Sequence, residues 1–250
     1  MGVENIIVNF ICFRVCATIV TMETIVMSVG GSLIVPGEID TVFLKKLKQF
    51  IESEIANSGR RFIIIAGGGK TARRYQDAAS AVTELTDEDL DWLGLHSTRL
   101  NGHLLKTLFK DLAYQTMITN PDEILDAPAD VKVVIAAGYR PGSSTDLRAI
   151  QIANNVGAKK VINLSNTDYV YTDDPNKNPE AKKIESIPWS DFRKLIPEKW
   201  DPGLSSPFDP IAAKEAEALE IEVANINGAL LEELGKYLNG EDFIGTRIYK

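Results

Sequence analysis

Residues 131–146, VKVVIAAGYRPGSSTD, constrain the fold more than any other stretch of the chain. Val133–Ala137 is an apolar run with the length and composition of a buried strand. The loop after it carries Gly138, Arg140, Pro141, Gly142, Ser143, Ser144 and Thr145. Asp146 then leads into LRAIQIANNVGA, which has helical periodicity. A small-residue loop between a strand's C-terminal end and a helix's N-terminus presents free backbone N–H groups beside a positive dipole end. Anions bind at such places. Arg140 adds a fixed charge whose fork geometry suits phosphate.

The same pattern recurs. Glu23–Val29 is apolar and ends at Gly30-Gly31-Ser32, read as a glycine turn that continues through Leu33–Val35. Arg61–Ala66 runs into Gly67-Gly68-Gly69-Lys70, and the helix after it carries Thr71, Arg73, Arg74 and Tyr75. Lys160–Leu164, Ile221–Ile226 and Thr246–Tyr249 read as further strands, and Tyr114–Ile118 as a weak one. Asp40 is the expected N-cap, and Gly59 the expected C-cap, of a helix with apolar residues at 43, 47, 50, 51 and 55. Thr86 with Asp89 resembles a capping box that opens a long helix through about Leu112. Shorter helices are expected after Pro121 and over Trp189–Ile196, Pro207–Leu219 and Ala229–Leu238. Residues 165–184 read as a polar, turn-rich loop. This alternation predicts an α/β fold over residues 22–250, a three-layer sandwich with a mainly parallel central sheet. Loops that follow parallel strands gather along one sheet edge. Three glycine loops with Lys70, Arg73 and Arg140 attached therefore predict a surface for several phosphates.

Composition narrows the partners. A net charge of −8 argues against a general nucleic-acid binder, which needs a basic face. The only cysteines, Cys12 and Cys16, build no disulfide framework and suit a reducing cytoplasm. Ile6–Val20 is apolar but short for a membrane span and interrupted by Arg14, and it lacks the basic start of a secretory signal. Residues 1–21 therefore read as an extension outside the domain, with no membrane partner. Gly69-Lys70-Thr71 resembles the end of a P-loop, but the earlier glycine that motif requires would fall on Ile64. Asn163-Leu164-Ser165 matches a glycosylation sequon only by chance, at a strand end. His96 and His103 lie on one helix without a metal cluster and suit a polar surface or a partner contact rather than ligation. Asp173-Asp174 before Pro175 could hold Mg2+ or a ribose hydroxyl, or simply cap a turn.

The motifs GGSLIVP (30–36), GGGKTARRY (67–75), STRLNG (97–102), PGSSTD (141–146), SNTDYVYTDDPNKNPEAKKI (165–184) and DPIAAKEAEAL (209–219) stand in a specific order and spacing. In these the chain resembles the amino acid kinase superfamily, and within it the archaeal-type uridylate (UMP) kinases, from about Thr24 to Lys250. The resemblance implies transfer of the γ-phosphoryl of ATP to UMP in pyrimidine nucleotide biosynthesis, by a cytoplasmic homo-oligomer, usually a hexamer. It implies that Gly31 and Ser32 hold ATP phosphates with Gly69 and Arg73, and that Ser165, Asn166, Tyr171 and Asp174 form the adenine and ribose pocket. On the acceptor side it implies Gly68, Asp91 and the loop of Tyr139, Arg140, Pro141, Gly142, Ser143, Ser144 and Thr145. Phosphoryl transfer needs in-line positioning and charge neutralisation. The acceptor phosphate is itself the nucleophile and is already ionised, so no strong base is required. Lys70, Arg73 and Mg2+ are the expected neutralising charges, with Asp146 orienting them. No protein-built metal cluster is expected. The chain departs from the family pattern at Ser28, where many relatives carry lysine, at Tyr139-Arg140 in the acceptor loop, and at Tyr169, which replaces a glycine. If that glycine is left-handed, tyrosine there costs about 1 kcal/mol or more in strain. These departures leave as alternatives a related kinase with another acceptor or a non-catalytic nucleotide- or oxyanion-binding protein on the same fold.

Overall fold

The computed structural model describes residues 22–175, 177–199 and 206–250, so the expectation for residues 1–21 lies outside the described residues. In chain order the elements are β1 (Thr24–Val29), α1 (Gly31–Ile34), α2 (Thr41–Ser58), β2 (Arg61–Ala66), α3 (Gly69–Ser80), α4 (Asp87–Leu108), β3 (Val133–Ala136), α5 (Thr145–Asn155) and β4 (Lys160–Ser165). A two-stranded hairpin, β5 (Val170–Tyr171) and β6 (Lys183–Ile184), precedes β7 (Ser186–Pro188), α6 (Trp189–Phe192), α7 (Pro210–Ala218), β8 (Glu222–Asn227), α8 (Leu231–Leu238) and β9 (Thr246–Tyr249).

The main sheet has the order β3-β2-β1-β4-β8-β9-β7. Its first five strands are parallel, and β9 runs antiparallel to β8. Parallel strands are covered on both faces, which is why β2 and β3 read as unbroken apolar runs. Side chains alternate between the two layers. Val26, Ile63, Ile65, Val134 and Val161 pack on one side with Leu147 and Ile150 of α5, Trp189 and Phe192 of α6, and Ala212 and Ala216 of α7. Met27, Phe62, Ile64, Ile135 and Ile162 pack on the other with Phe43, Leu47 and Ile51 of α2, Leu105 of α4 and Leu234 of α8. The expected three-layer sandwich is the one observed. No helix among the described residues is long and apolar enough to cross a membrane.

The expected caps are in place. The Asp40 carboxylate accepts from Val42 N and Phe43 N, and Gly59 is left-handed at φ 67°. Thr86 and Asp89 form the reciprocal capping box.

Several boundaries move for local reasons. Gly31–Ile34 is a turn of helix rather than a continuing strand. The long helix stops at Leu108, and the chain turns so that Tyr114 N and Ile118 N each reach β3. The expected strand over Tyr114–Ile118 is only two isolated bridges, Ala113 to Val133 and Ile118 to Ala136. The helix at Trp189 ends at Phe192, short of Ile196, which precedes Pro197 and is biased away from helix. The helix expected from Pro207 begins at Pro210, because the Asp209 carboxylate caps Ile211 N and Ala212 N. The polar loop over 165–184 holds the β5–β6 hairpin. Tyr169 is not strained: among the described residues the only non-glycine with positive φ is Glu220. Its ring meets Tyr171 edge-on, and Lys183 Nζ lies 4.9 Å from its centroid.

Candidate active site

Strands β1, β2, β3 and β4 are parallel, so Val29, Ala66, Ala136 and Ser165 end at one sheet edge. The loops leaving that edge enclose a cavity of about 640 Å3. Its walls include Ser32, Gly68, Gly69, Lys70, Arg73, Asp91, Ser143, Ser144, Thr145, Asp146, Ser165 and Asn166. Twelve of the residues expected to carry function thus converge on one cleft. Gly31 is buried beside it, packed against the loop of Gly68 and Gly69.

The glycines are required by a close approach of two main chains. A Cβ on Gly31 would lie 1.9 Å from Gly69 N, and one on Gly67 would lie 2.4 Å from Gly31 N. Gly69 is also left-handed, at φ 64°. The loops are tied by hydrogen bonds: Lys70 N donates to Val35 O at 3.2 Å and Gly67 N to Val29 O at 2.9 Å. Lys70 and Arg73 are exposed on the first turns of α3 and edge the cleft, whereas Arg74 pairs with Glu38 outside it.

Helix α4 positions the loops on both sides. Asn101 is buried, and its amide donates to Gly67 O at 2.8 Å and Gly68 O at 3.1 Å. Thr98 Oγ1 accepts from Gly138 N at 2.9 Å. Arg99 donates to Gly138 O and Tyr139 O. The STRLNG motif therefore clamps the 67–69 loop and the start of the 138–146 loop to one helix. Asp91, two turns earlier, accepts from Gly142 N at 2.6 Å. Burial pushes its carboxyl upward, and the Gly142 bond partly opposes that push.

Asp146 lines the cleft, and the buried Asp209, which the sequence pattern does not join to it, lies behind it. Asp146 Oδ1 accepts from Ser28 Oγ at 3.4 Å, and its Oδ2 accepts from Asp209 N at 3.2 Å. Ser144 Oγ accepts from Leu147 N, capping α5, and also bonds the Asp209 carboxylate. Burial, followed by the Asp209 charge, pushes the Asp146 carboxyl up to about 7. Asp209 lies 63 residues further along the chain, and only the packing of α7 against α5 brings it here. Asn163 is a second unforeseen member. It lines the cleft and donates to Asn225 Oδ1 on β8 and to Pro207 O. A polar side chain in an otherwise apolar strand was the available signal.

Other expected residues lie elsewhere. Tyr139, Arg140, Pro141 and Gly142 are not in the cleft wall, and the Tyr139 and Arg140 side chains line a second cavity behind the loop. Arg140, the positive charge expected in the anion loop, is therefore turned away from this cleft. Tyr171 and Asp174 lie on and after the β5 hairpin strand, beyond the cleft wall. Asp173 accepts from Asp174 N and from Asn178, which is the turn-capping arrangement. His96 is exposed and stacks on Trp92. Among the described residues, no group of three His, Cys, Asp or Glu side chains gathers to hold a metal.

The family model for the amino acid kinase family matches residues 23–225. A uridylate kinase of Pyrococcus abyssi is 36% identical over 190 residues, 76% of this chain and 83% of the relative. A uridylate kinase of Methanocorpusculum labreanum is 34% identical over 90% of this chain and 95% of its own length. In three dimensions the uridylate kinase of Archaeoglobus fulgidus matches with a TM-score of 0.75 at 28% identity, covering 91% of this chain and all of the other. The UMP kinase of Bacillus anthracis matches with a TM-score of 0.72 at 17% identity, a likeness of fold.

Proposed function

The chain belongs to the amino acid kinase family, and on that premise we propose that it transfers the γ-phosphoryl of ATP to UMP, giving UDP and ADP. One observation carries the reading most. The 30–32 and 67–73 loops, the 143–146 loop and Asp91 open into a single cavity, so two phosphorylated ligands can meet there in line.

On this reading the backbone N–H groups of Gly31, Ser32 and Gly69 hold donor phosphates with Arg73. Ser165 and Asn166 border the donor's base and ribose, with Tyr171 and Asp174 further out on the hairpin. Gly68, Asp91 and Pro141–Thr145 hold the acceptor. Tyr139 and Arg140 belong to that side through their main chain, held by Arg99 at the Tyr139 carbonyl and by Ser143 at the Arg140 carbonyl. Lys70 and Arg73 neutralise charge that develops on the transferring oxygens. Asp146 orients those cations, and the Ser28 hydroxyl and the Asp209 N–H hold it in place.

Mg2+ fits the donor set in one respect. In nucleotide sites it needs only one or two carboxylates beside the phosphates. Asp146 would be the carboxylate that holds it, with Asp209 behind the cleft wall supporting Asp146 through its backbone N–H. When bound, Mg2+ supplies further neutralisation at the phosphates.

We place the enzyme in the cytoplasm, as a homo-oligomer and as a hexamer by resemblance. The exposed side chains Tyr75, Trp92 and Leu100 on α3 and α4 support a face for a second copy.

A coupled ADP-release assay tests the reading across UMP, CMP, acetylglutamate, carbamate and isopentenyl phosphate. Turnover highest with UMP is the expected result. ATP binding without turnover on UMP, or faster turnover with another acceptor, overturns it.

A further inference from the structure

Behind the 138–146 loop lies a second cavity, of about 360 Å3. That is within the range of small-ligand sites. It is bounded by the side chains of Tyr139 and Arg140, by Arg148, Gln151 and Asn155 of α5, and by Glu215 of α7. Residues 148, 151 and 155 are spaced to present one helical face to it.

Arg148 is the unusual member. It is only 3% exposed, yet its Nε has no hydrogen-bond partner. A buried guanidinium left without a partner is costly unless something completes it. Its neighbours do not. Glu215 shares the wall and favours the charged form, but it does not reach the Arg148 Nε. Asp122, also on the wall, accepts instead from the Asn155 amide at 3.1 Å. Arg140 adds a second positive charge that repels the first. The Tyr139 ring lies near both guanidinium carbons, 5.5 Å from that of Arg148 and 5.7 Å from that of Arg140. Two guanidinium groups are thus held at one aromatic ring beside an open space, and the inner one keeps its Nε without a hydrogen-bond partner.

We propose that this cavity is a second anion site, separate from the cleft, that takes the phosphate group of a small phosphorylated ligand between Arg148 and Arg140. Arginine forks match tetrahedral oxyanions, and an anion here would relieve the repulsion between the two guanidinium groups. The Gln151 amide, on the same wall, offers a neutral donor. The assignment stands on these residues and does not depend on the acceptor used in the cleft.

Thermal unfolding of the full chain tests it, with sodium pyrophosphate as the probe and sodium citrate as the carboxylate control. A Lys70→Ala, Arg73→Ala double variant weakens phosphate binding in the cleft. In that background, pyrophosphate at about 100 times its dissociation constant is expected to raise the midpoint by about 5 °C or more. Adding Arg148→Met, which keeps the buried stem and removes the fork, is expected to abolish the rise. Gln151→Trp, which fills the cavity, is expected to do the same and decides the matter if Arg148→Met does not fold. The proposal is overturned if the double variant shows no rise, or if the rise survives the cavity variants. It is also overturned if citrate alone stabilises.

Discussion

Gly31→Ala is expected to break the site without touching any charged group. The added Cβ would meet Gly69 N at 1.9 Å, Gly68 C at 2.6 Å and Gly69 Cα at 2.6 Å. Ordinary van der Waals contact begins at 3.4 Å, so the shortfall against Gly69 N is about 1.5 Å. The obstruction is main chain on both sides, and no side chain can rotate away. Gly69 cannot yield easily either, since a Cβ position built on it lies only 2.1 Å from Gly31 O. The 30–32 and 67–69 loops must therefore separate by more than an ångström. Overpacking of this kind costs about 1–3 kcal/mol and occasionally more. A displacement of about 1 Å in a positioning group costs on the order of 10²-fold in rate. We expect urea unfolding to show a loss of about 3 kcal/mol, and the ADP-release assay a fall in kcat of at least about 10²-fold. Gly37→Ala is the control, because nothing lies within 4 Å of its added Cβ. It should stay within about 0.5 kcal/mol of the parent, with unchanged turnover. A Gly31→Ala protein with parental stability and turnover would refute the interlocked-loop account.

Arg73→Ala should lower turnover by about 10²-fold or more, as loss of a transition-state charge contact does; parental kcat would remove Arg73 from the chemistry. Asn101→Leu should cost about 1–3 kcal/mol in urea unfolding, because the Gly67 and Gly68 carbonyls lose their buried donor. The Asp146 carboxyl is raised from 3.8 to about 7, so the folded protein holds a proton between those values that the unfolded chain has released. Stability of the ligand-free protein should therefore fall as pH rises from about 4 to 7, by at most about 4 kcal/mol at 1.36 kcal/mol per unit, and by less where water reaches the carboxylate. Subtracting the Asp146→Asn pH profile, measured by chemical unfolding, isolates this contribution; identical profiles for the two proteins would sink it.

The sheet was legible because a parallel strand is buried on both faces. Apolar runs such as Phe62–Ala66 then announce themselves without help from the rest of the chain. The edge was legible too, since parallel strands send their following loops to one side, and the glycines of those loops mark where main chains approach. What stayed hidden depends on contacts between distant segments. Asp209 reads as a helix cap, and a cap it is, but its backbone N–H also reaches Asp146 across the packing of α5 on α7. Local pattern carries no information about that meeting. Arg140 shows the converse. Its charge type and its loop both suit a phosphate, yet the direction of its side chain is decided elsewhere. Thr98 and Arg99 of α4 pin Gly138 and the Tyr139 carbonyl, and from there the two side chains turn toward Arg148. The loop thus has two faces, each lining a different cavity. Residues 143–146 line the cleft, and residues 139 and 140 line the cavity behind it. A loop clamped at Gly138 by α4 and continued by α5 can hold both faces at once. Loosening the clamp, as Arg99→Ala would, should therefore disturb substrate turnover and pyrophosphate binding together.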